Sequence, residues 1–455
     1  EVKVTLGPST RKCRSAQDGT WKVRMPALKA GTGIPFTVTD GRDTLSFSNV
    51  AAGEVWLCSG QSNMAFELKG ADTFSKEGLD DPMLRFYDMK SHLKTWGLVW
   101  SEEDAGKVAQ GKYYDRTRWN CSSEKTAGKF SAVGYYFGKM LRDSLNVPVG
   151  LICNAVGGTT TESFISRSAL EKVLPGFCDG WLEDESVKEW ARERAWENMS
   201  AFKGGYIQHP FMPGYLFEDG IRPLERFPIK GAIWYQGESN AENIPQHEIL
   251  FRALVDCWRQ TWDNPDLPFY FVQLSSIERP TWPEFRNSQR LLSLEIPHCG
   301  MAVSSDLGHP TDVHPRAKKP VGERLARLAL RNDYGKQVEC LAPAATKAFL
   351  NDSGNVTVLF DSPISVPGTM PVRGFRICLK DGSEIPASAE ISGSDAVILS
   401  WDAGSPDAAA DSKNTKADSR TAIVKVKYAW DPWTDANLTG TTGLPVSTFD
   451  IEIGE

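Results

Sequence analysis

The chain has 455 residues, 41% hydrophobic and 24% charged, with 51 basic against 58 acidic side chains and a net charge of −7. That length supplies two or three domains and a large core. The acidic balance excludes nucleic acid and anionic membrane surfaces as expected partners, and no apolar run approaches the roughly 20 residues that span a bilayer.

Residues 1–50 read as β. Val2–Leu6, then 21–26, 36–39 and 44–47, alternate apolar and polar, with turns at Asp18-Gly19 and Asp40-Gly41. They are expected to form part of a small β-sandwich. Residues 51–338 alternate strand and helix, and form the expected catalytic domain. Strands are predicted at 55–58, 84–87, 149–156, 229–235, 269–274 and 301–305. Helices are predicted at 132–145, 248–262, 285–294 and 317–330; in the last, Val321, Leu325, Leu328 and Ala329 share one face. Such alternation implies a mostly parallel sheet covered on both sides. Residues 184–202 form a polar, helix-prone insertion, read as a surface excursion with the option of bordering the site. From 339 to 455 the pattern returns to β, a second sandwich-like region expected to pack with the first fifty residues. Within it, residues 403–419, rich in Ala, Asp, Ser and Lys, read as a flexible loop.

The nine cysteines include no Cys-x-x-Cys, so neither zinc nor any other cofactor is expected. Cys58, Cys153 and Cys378 lie in apolar runs and read as packed thiols. Cys13, Cys121 and Cys178 sit among polar residues, where disulfides are an option without a legible pairing. The 15 tryptophans suit stacking on sugar rings, although the core is the expected place for most. The chain opens at Glu1 without an initiator methionine, and is read as processed, with a secretory leader removed and the protein exported.

Four of the expected strands end in turns rich in small and polar residues, the edge where open α/β sheets place ligands. The first ends in Ser59-Gly60-Gln61-Ser62-Asn63-Met64 and the second in Gly157-Gly158 with three threonines. The third ends in Gln236-Gly237-Glu238-Ser239-Asn240, and the fourth in Asp306-Leu307-Gly308-His309, then Asp312-Val313-His314. Hydrolysis of an ester by serine needs a nucleophile, a base, a group that holds the base and donors for the oxyanion. Ser62 is the candidate nucleophile, with Ser59 as rival. Met64 stands where the nucleophile elbow of the α/β-hydrolases needs a second glycine, which disfavours that fold. His309 and His314 compete as base. Asp312, two residues before His314, points to the same side of an extended segment about 6.6 Å away. Asp306 is the alternative acid, and a backbone carbonyl a third. The backbone N–H groups of Ser62 and Gly158 and a side-chain amide from Gln236 or Asn240 are the candidate oxyanion donors.

The blocks Trp56-Leu57-Cys58-Ser59-Gly60-Gln61-Ser62-Asn63-Met64, Trp234-Tyr235-Gln236-Gly237-Glu238-Ser239-Asn240 and His314-Pro315-Arg316 resemble the SGNH hydrolase superfamily, and within it the sialate O-acetylesterases. Tyr428-Ala429-Trp430 and Gly443-Leu444-Pro445 extend the resemblance over most of the chain. Against that family an early β segment is missing before Glu1. The resemblance implies an SGNH-like three-layer α/β/α domain flanked by β-sandwich segments. His314 is preferred over His309 because it precedes a helix and because Pro315-Arg316 follows it as in the family, and Gln236 over Asn240 because it ends the strand. Gln61, Asn63 and Glu238 are candidate substrate-binding residues, and Glu238 and Glu162 are also read as buried acids bracing their turns. The chain departs from the family at the acid, since an Asp-x-x-His spacing would need a carboxylate at Thr311. The implied reaction is metal-independent release of acetate from 9-O-acetylated sialic acid. A plant-polysaccharide acetylesterase is the nearest alternative, and a non-catalytic carbohydrate-binding protein the alternative of another class. Sialate carries a carboxylate, and Arg222 is the candidate to meet it.

Overall fold

The structure, a computed structural model, describes residues 1–401 and 423–454. The predicted loop at 403–419 lies outside the described residues. The strands that carry the site are β5 (Glu54–Gly60), β6 (Asp81–Asp88), β7 (Asn120–Ser122), β8 (Val149–Cys153), β9 (Gly231–Tyr235), β10 (Phe269–Val272) and β11 (Cys299–Ala302). They form one seven-stranded sheet in the order β11-β10-β9-β5-β8-β6-β7. Every pair is parallel except β6 with β7.

Alternation along β5 shows how both faces are buried. Leu57 joins one hydrophobic cluster with Trp234, Trp258 and Phe271, while Trp56 and Cys58 join another with Phe137, Leu325 and Tyr270. Helices Ala132–Leu145 and Lys318–Asn332 cover the second face. Their close approach depends on Gly322, where a Cβ would stand 2.7 Å from the Val133 carbonyl oxygen. The first of these helices is capped by Ser131, whose hydroxyl accepts from Gly134 N–H (3.0 Å), and ends on Asn146 in the left-handed region. Helix Ile244–Thr261 contributes to the first face through Leu250, Leu254 and Trp258.

The flanking β regions attach elsewhere than expected. β1 (Val2–Leu6), β2 (Ser9–Cys13), β3 (Gly31–Thr39) and β4 (Thr44–Ala52) form an antiparallel sheet in the order β2-β1-β3-β4. It abuts the β6–β7 edge, where the Arg85 guanidinium donates to Asn49 O (2.6 Å) and Oδ1 (2.8 Å). Residues 21–26, predicted as a strand, join no sheet; Trp21 is left largely exposed, without a neighbouring strand to pair with. The C-terminal region forms an eight-stranded, mostly antiparallel sheet, running in sequence from Ala345–Leu350 to Phe449–Gly454. It joins the opposite, β10–β11 side, and among the described residues no strand of one β region pairs with a strand of the other.

Arg286 makes that junction. It lies on helix Trp282–Glu295 and is 0% exposed. Its guanidinium donates to the carbonyls of Ala429 (2.8 Å), Asp431 (2.7 Å) and Pro432 (2.8 Å) and to Thr448 Oγ1 (2.9 Å). Burial pushes its pKa down to about 9. The nine cysteines are all free thiols, and Cys178, read from its polar neighbours as a disulfide option, is buried.

Candidate active site

β5 lies between β8 and β9, the strands that follow it on either side, and its carboxyl end is therefore a topological switch point. Gly60 makes the turn there. Its φ is +135°, and a Cβ would stand 2.2 Å from the Tyr235 carbonyl oxygen, so no larger residue fits. The turn places Ser62 at the start of a four-residue helical turn, Ser62–Ala65. Ser62 Oγ is 2.8 Å from His314 Nε2, across 252 positions of sequence. Gly157 follows β8 beside them; a Cβ on it would be 3.7 Å from the Ser62 Cβ. Neither the Ser62 nor the Gly158 N–H has a hydrogen-bond partner among the described residues.

Other expected residues are placed differently. Ser59 is fully buried, and its hydroxyl has no hydrogen-bond partner among the described residues. His309 folds the base loop, its Nδ1 accepting from Asp312 N–H (3.0 Å). Asp306 forms a two-pronged ion pair with Arg324, at 2.7 Å in each arm, which takes it away from His314. Asp306→Asn is therefore expected to lower the melting temperature while leaving kcat close to wild type, measurable by calorimetry and steady-state kinetics. Asp312 Oδ1 accepts from the His314 backbone N–H (2.8 Å), not from the imidazole. Its charge still favours the protonated ring.

Gln236 does not fit an oxyanion role. Both amide hydrogens are engaged, by Thr159 O (3.2 Å) and Asn240 Oδ1 (2.7 Å), and its oxygen accepts from Thr161 Oγ1 (2.6 Å). The orientation is fixed because Asn240 Oδ1 also accepts from the Thr161 backbone N–H (3.1 Å). Asn240 Nδ2 donates to buried Glu162 (3.0 Å), and its other hydrogen has no partner among the described residues. Burial raises the Glu162 pKa, and the Asn240 bond opposes that rise. Arg222 is paired with Glu218 and stacked on Phe217, with no contact to the Ser62 turn.

Asn63 and Glu238 brace the site. Asn63, 1% exposed, donates to Glu238 Oε1 and to the Val313 carbonyl (2.9 Å), and accepts from Lys318 Nζ. It thereby ties the residue after Ser62 to the residue before His314. Gln61 Oε1 accepts weakly from Ser239 N–H (3.4 Å), while its amide nitrogen has no protein partner among the described residues.

Lys318 was missed from the sequence. It is 0% exposed, packed on the rings of Phe66 (5.0 Å) and Tyr235 (5.3 Å). Burial brings its pKa down to about 7, with Glu238 and Asp312 opposing. The signal was present: Lys318 lies three and seven residues before Val321 and Leu325, on the same buried face. The His314 pKa is lowered first by burial and then by the Lys318 charge. A base must be neutral to accept a proton, so the acid limb of kcat/KM is expected below the usual imidazole range. Lys318→Met removes one of the charges that lower it, and should move that limb to higher pH in a pH–rate profile.

Residues 184–202 do reach the site. Helix Glu189–Asn198 brings Trp190 to 3.3 Å from where a Gly158 Cβ would be, edge-on to Phe211 (5.3 Å between centroids).

Comparison with known proteins bears on this arrangement. A family model described as carbohydrate esterase, sialic acid-specific acetylesterase, matches residues 199–331. The crystal structure of a carbohydrate acetylesterase from Xanthomonas citri superposes with a TM-score of 0.77, at 30% identity over 99% of this chain and 92% of that one. The chain belongs to the sialate O-acetylesterase family of carbohydrate esterases. Within that family, the mouse sialate O-acetylesterase is 28% identical over 95% of this chain and 84% of its own length. The human one is 26% identical over 92% and 78%. No helix among the described residues is long and apolar enough to cross a membrane.

Proposed function

We propose that this esterase removes O-acetyl groups from carbohydrate through an acetyl-Ser62 intermediate, on an SGNH-like catalytic domain spanning residues 51–338. The observation that carries the reading is the 2.8 Å contact of Ser62 Oγ with His314 Nε2, beside the unengaged Ser62 and Gly158 N–H groups. Ser62 Oγ attacks the acetyl carbonyl carbon as its proton passes to His314 Nε2. The oxyanion is held by the two N–H groups and the remaining Asn240 amide hydrogen. Collapse breaks the bond to the sugar oxygen, which takes the proton from His314. Water then attacks the acetyl-serine, giving its proton to His314, and collapse breaks the ester, Ser62 Oγ taking that proton back from His314 as acetate leaves. Asp312 supports the imidazolium electrostatically.

For the substrate we favour O-acetylated sialic acid. The curated relatives carry that name, and Arg279 replaces Arg222 as the cation for a carboxylate. Its charge bears on His314 and Glu238, it stacks over Trp282 at 5.0 Å, and it has no acidic partner among the described residues. The second reading is a neutral polysaccharide, since the Xanthomonas citri protein is described only as a carbohydrate acetylesterase. Export of the chain belongs to the same proposal. Acetate release from 9-O-acetyl sialate against acetylated xylan decides between them. Preference for xylan discards the sialate reading, and activity on neither discards the carbohydrate.

A further inference from the structure

Beside the nucleophile turn lies a short loop whose side chains the reaction does not use. Thr95 Oγ1 donates to Gly157 O (3.4 Å), so the loop starts at the catalytic turn itself. The next residue, Trp96, is 69% exposed, followed by Leu98 and Val99 at 50% and 59%. Exposed apolar residues in sequence are costly in water unless they meet a partner. The backbone on both sides of Trp96 is nevertheless tied down. Trp100 Nε1 donates back to Lys94 O (2.9 Å), Trp100 N–H to Asn198 O (2.9 Å), and Asn198 Nδ2 to Leu98 O. The Trp100 ring stacks on buried His209 at 5.0 Å. Five residues of loop are thus closed onto the helix Glu189–Asn198.

That helix supplies the rest of the surface. Trp190 and Arg194 are four residues apart and share a face. Trp190 flanks Gly158, and Arg194, itself held by Glu197 (2.6 Å), lies over the Trp96 ring at 4.4 Å. One face of the indole is therefore covered by a fixed cation while much of the ring remains open to solvent. A flat, largely exposed indole on a tethered loop, with a cation over one face, matches the apolar C–H face of a pyranose ring.

We infer that Trp96, backed by Arg194, is a binding subsite for the sugar that adjoins the acetylated one, so that the substrate is an O-acetylated oligosaccharide and not a free acetylated monosaccharide. The inference rests on the carbohydrate reading above, but on neither of its two substrates. The subsite runs from Ser62 through Gly157 and Thr95 to Trp96, with Trp190 as the wall over Gly158.

The test compares acetate release from acetylated xylotetraose and 9-O-acetyl sialyllactose with that from the corresponding acetylated monosaccharides and from 4-nitrophenyl acetate. Wild type is expected to prefer the oligosaccharide of whichever series it accepts. Trp96→Ala should raise the oligosaccharide KM on the order of tenfold, with kcat retained, so that selectivity over 4-nitrophenyl acetate falls by the same factor. Trp96→Phe should recover most of it. Trp196→Ala, on the other side of the same helix, should behave as wild type. An unchanged oligosaccharide KM in Trp96→Ala overturns the subsite. A parallel loss of kcat on every ester, with a lowered melting temperature, overturns it in favour of a structural role. Equal activity on monosaccharide and oligosaccharide acetates also overturns it while sparing the carbohydrate reading. Wild type that hydrolyses 4-nitrophenyl acetate but no acetylated sugar ends both.

Discussion

Ser62→Ala is expected to lower kcat for 4-nitrophenyl acetate by on the order of 10⁴-fold or more, with the melting temperature and circular dichroism unchanged. Its hydroxyl is the nucleophile of the proposed reaction, and the neighbouring alternative is disabled by position. Ser59 is fully buried, pointing into the protein without a partner, and cannot reach an ester carbonyl. The only contact between a serine hydroxyl and His314 among the described residues is the one made by Ser62. Removal of one oxygen leaves Gly60, Asn63 and the main chain as they were, so the loss should fall on turnover. A serine-directed phosphonate should label the wild type on Ser62 and leave the variant unmodified. Retained turnover in Ser62→Ala, or labelling elsewhere, would remove serine from the mechanism.

Arg286→Ala is expected to cost about 3–5 kcal/mol of stability, read as a lower midpoint in urea. Four hydrogen bonds to Ala429, Asp431, Pro432 and Thr448 disappear together, and the acceptors stay behind in a site that excludes water. A cavity of the size of the guanidinium stem is left as well. Arg286→Lys should recover little, because a point charge cannot meet acceptors arranged around a planar fork. The neighbouring Phe285 ring packs at 2.6 Å from where a Gly237 Cβ would be, so the damage is expected to reach the third polar turn and reduce kcat as well.

The main elements were legible because the sheet is buried on both faces. A fully buried parallel strand must be a short apolar run, and a run of that kind ending in Gly, Ser and Asn can only be leaving the sheet. Hence the strand at 55–58 appears as Glu54–Gly60, and the helix at 132–145 as Ala132–Leu145. The Ser62–His314 contact was legible for the same reason, since both residues lie just beyond strand ends on one edge. What failed depended on partners that a sequence does not name. Gln236 and Asn240 are chemically interchangeable as amides, and only the Thr161 N–H decides which of them is fully engaged. Asp306 follows a strand as a catalytic acid might, but Arg324, one face of a helix away, takes both its oxygens. Residues 21–26 alternate like a strand, yet alternation without a neighbouring edge makes no ladder.

The Asn63 amide has a mechanical consequence. Its neighbour in sequence is Ser62, and the carbonyl it grips belongs to Val313, the residue before His314. Any movement that lifts the loop carrying His314 must therefore drag the turn carrying Ser62 with it. Hydroxyl and imidazole are expected to separate only by rotation about their own side-chain bonds, never by parting of the two segments. The Ser62 hydroxyl and the His314 imidazole would then be in register before any ester arrives.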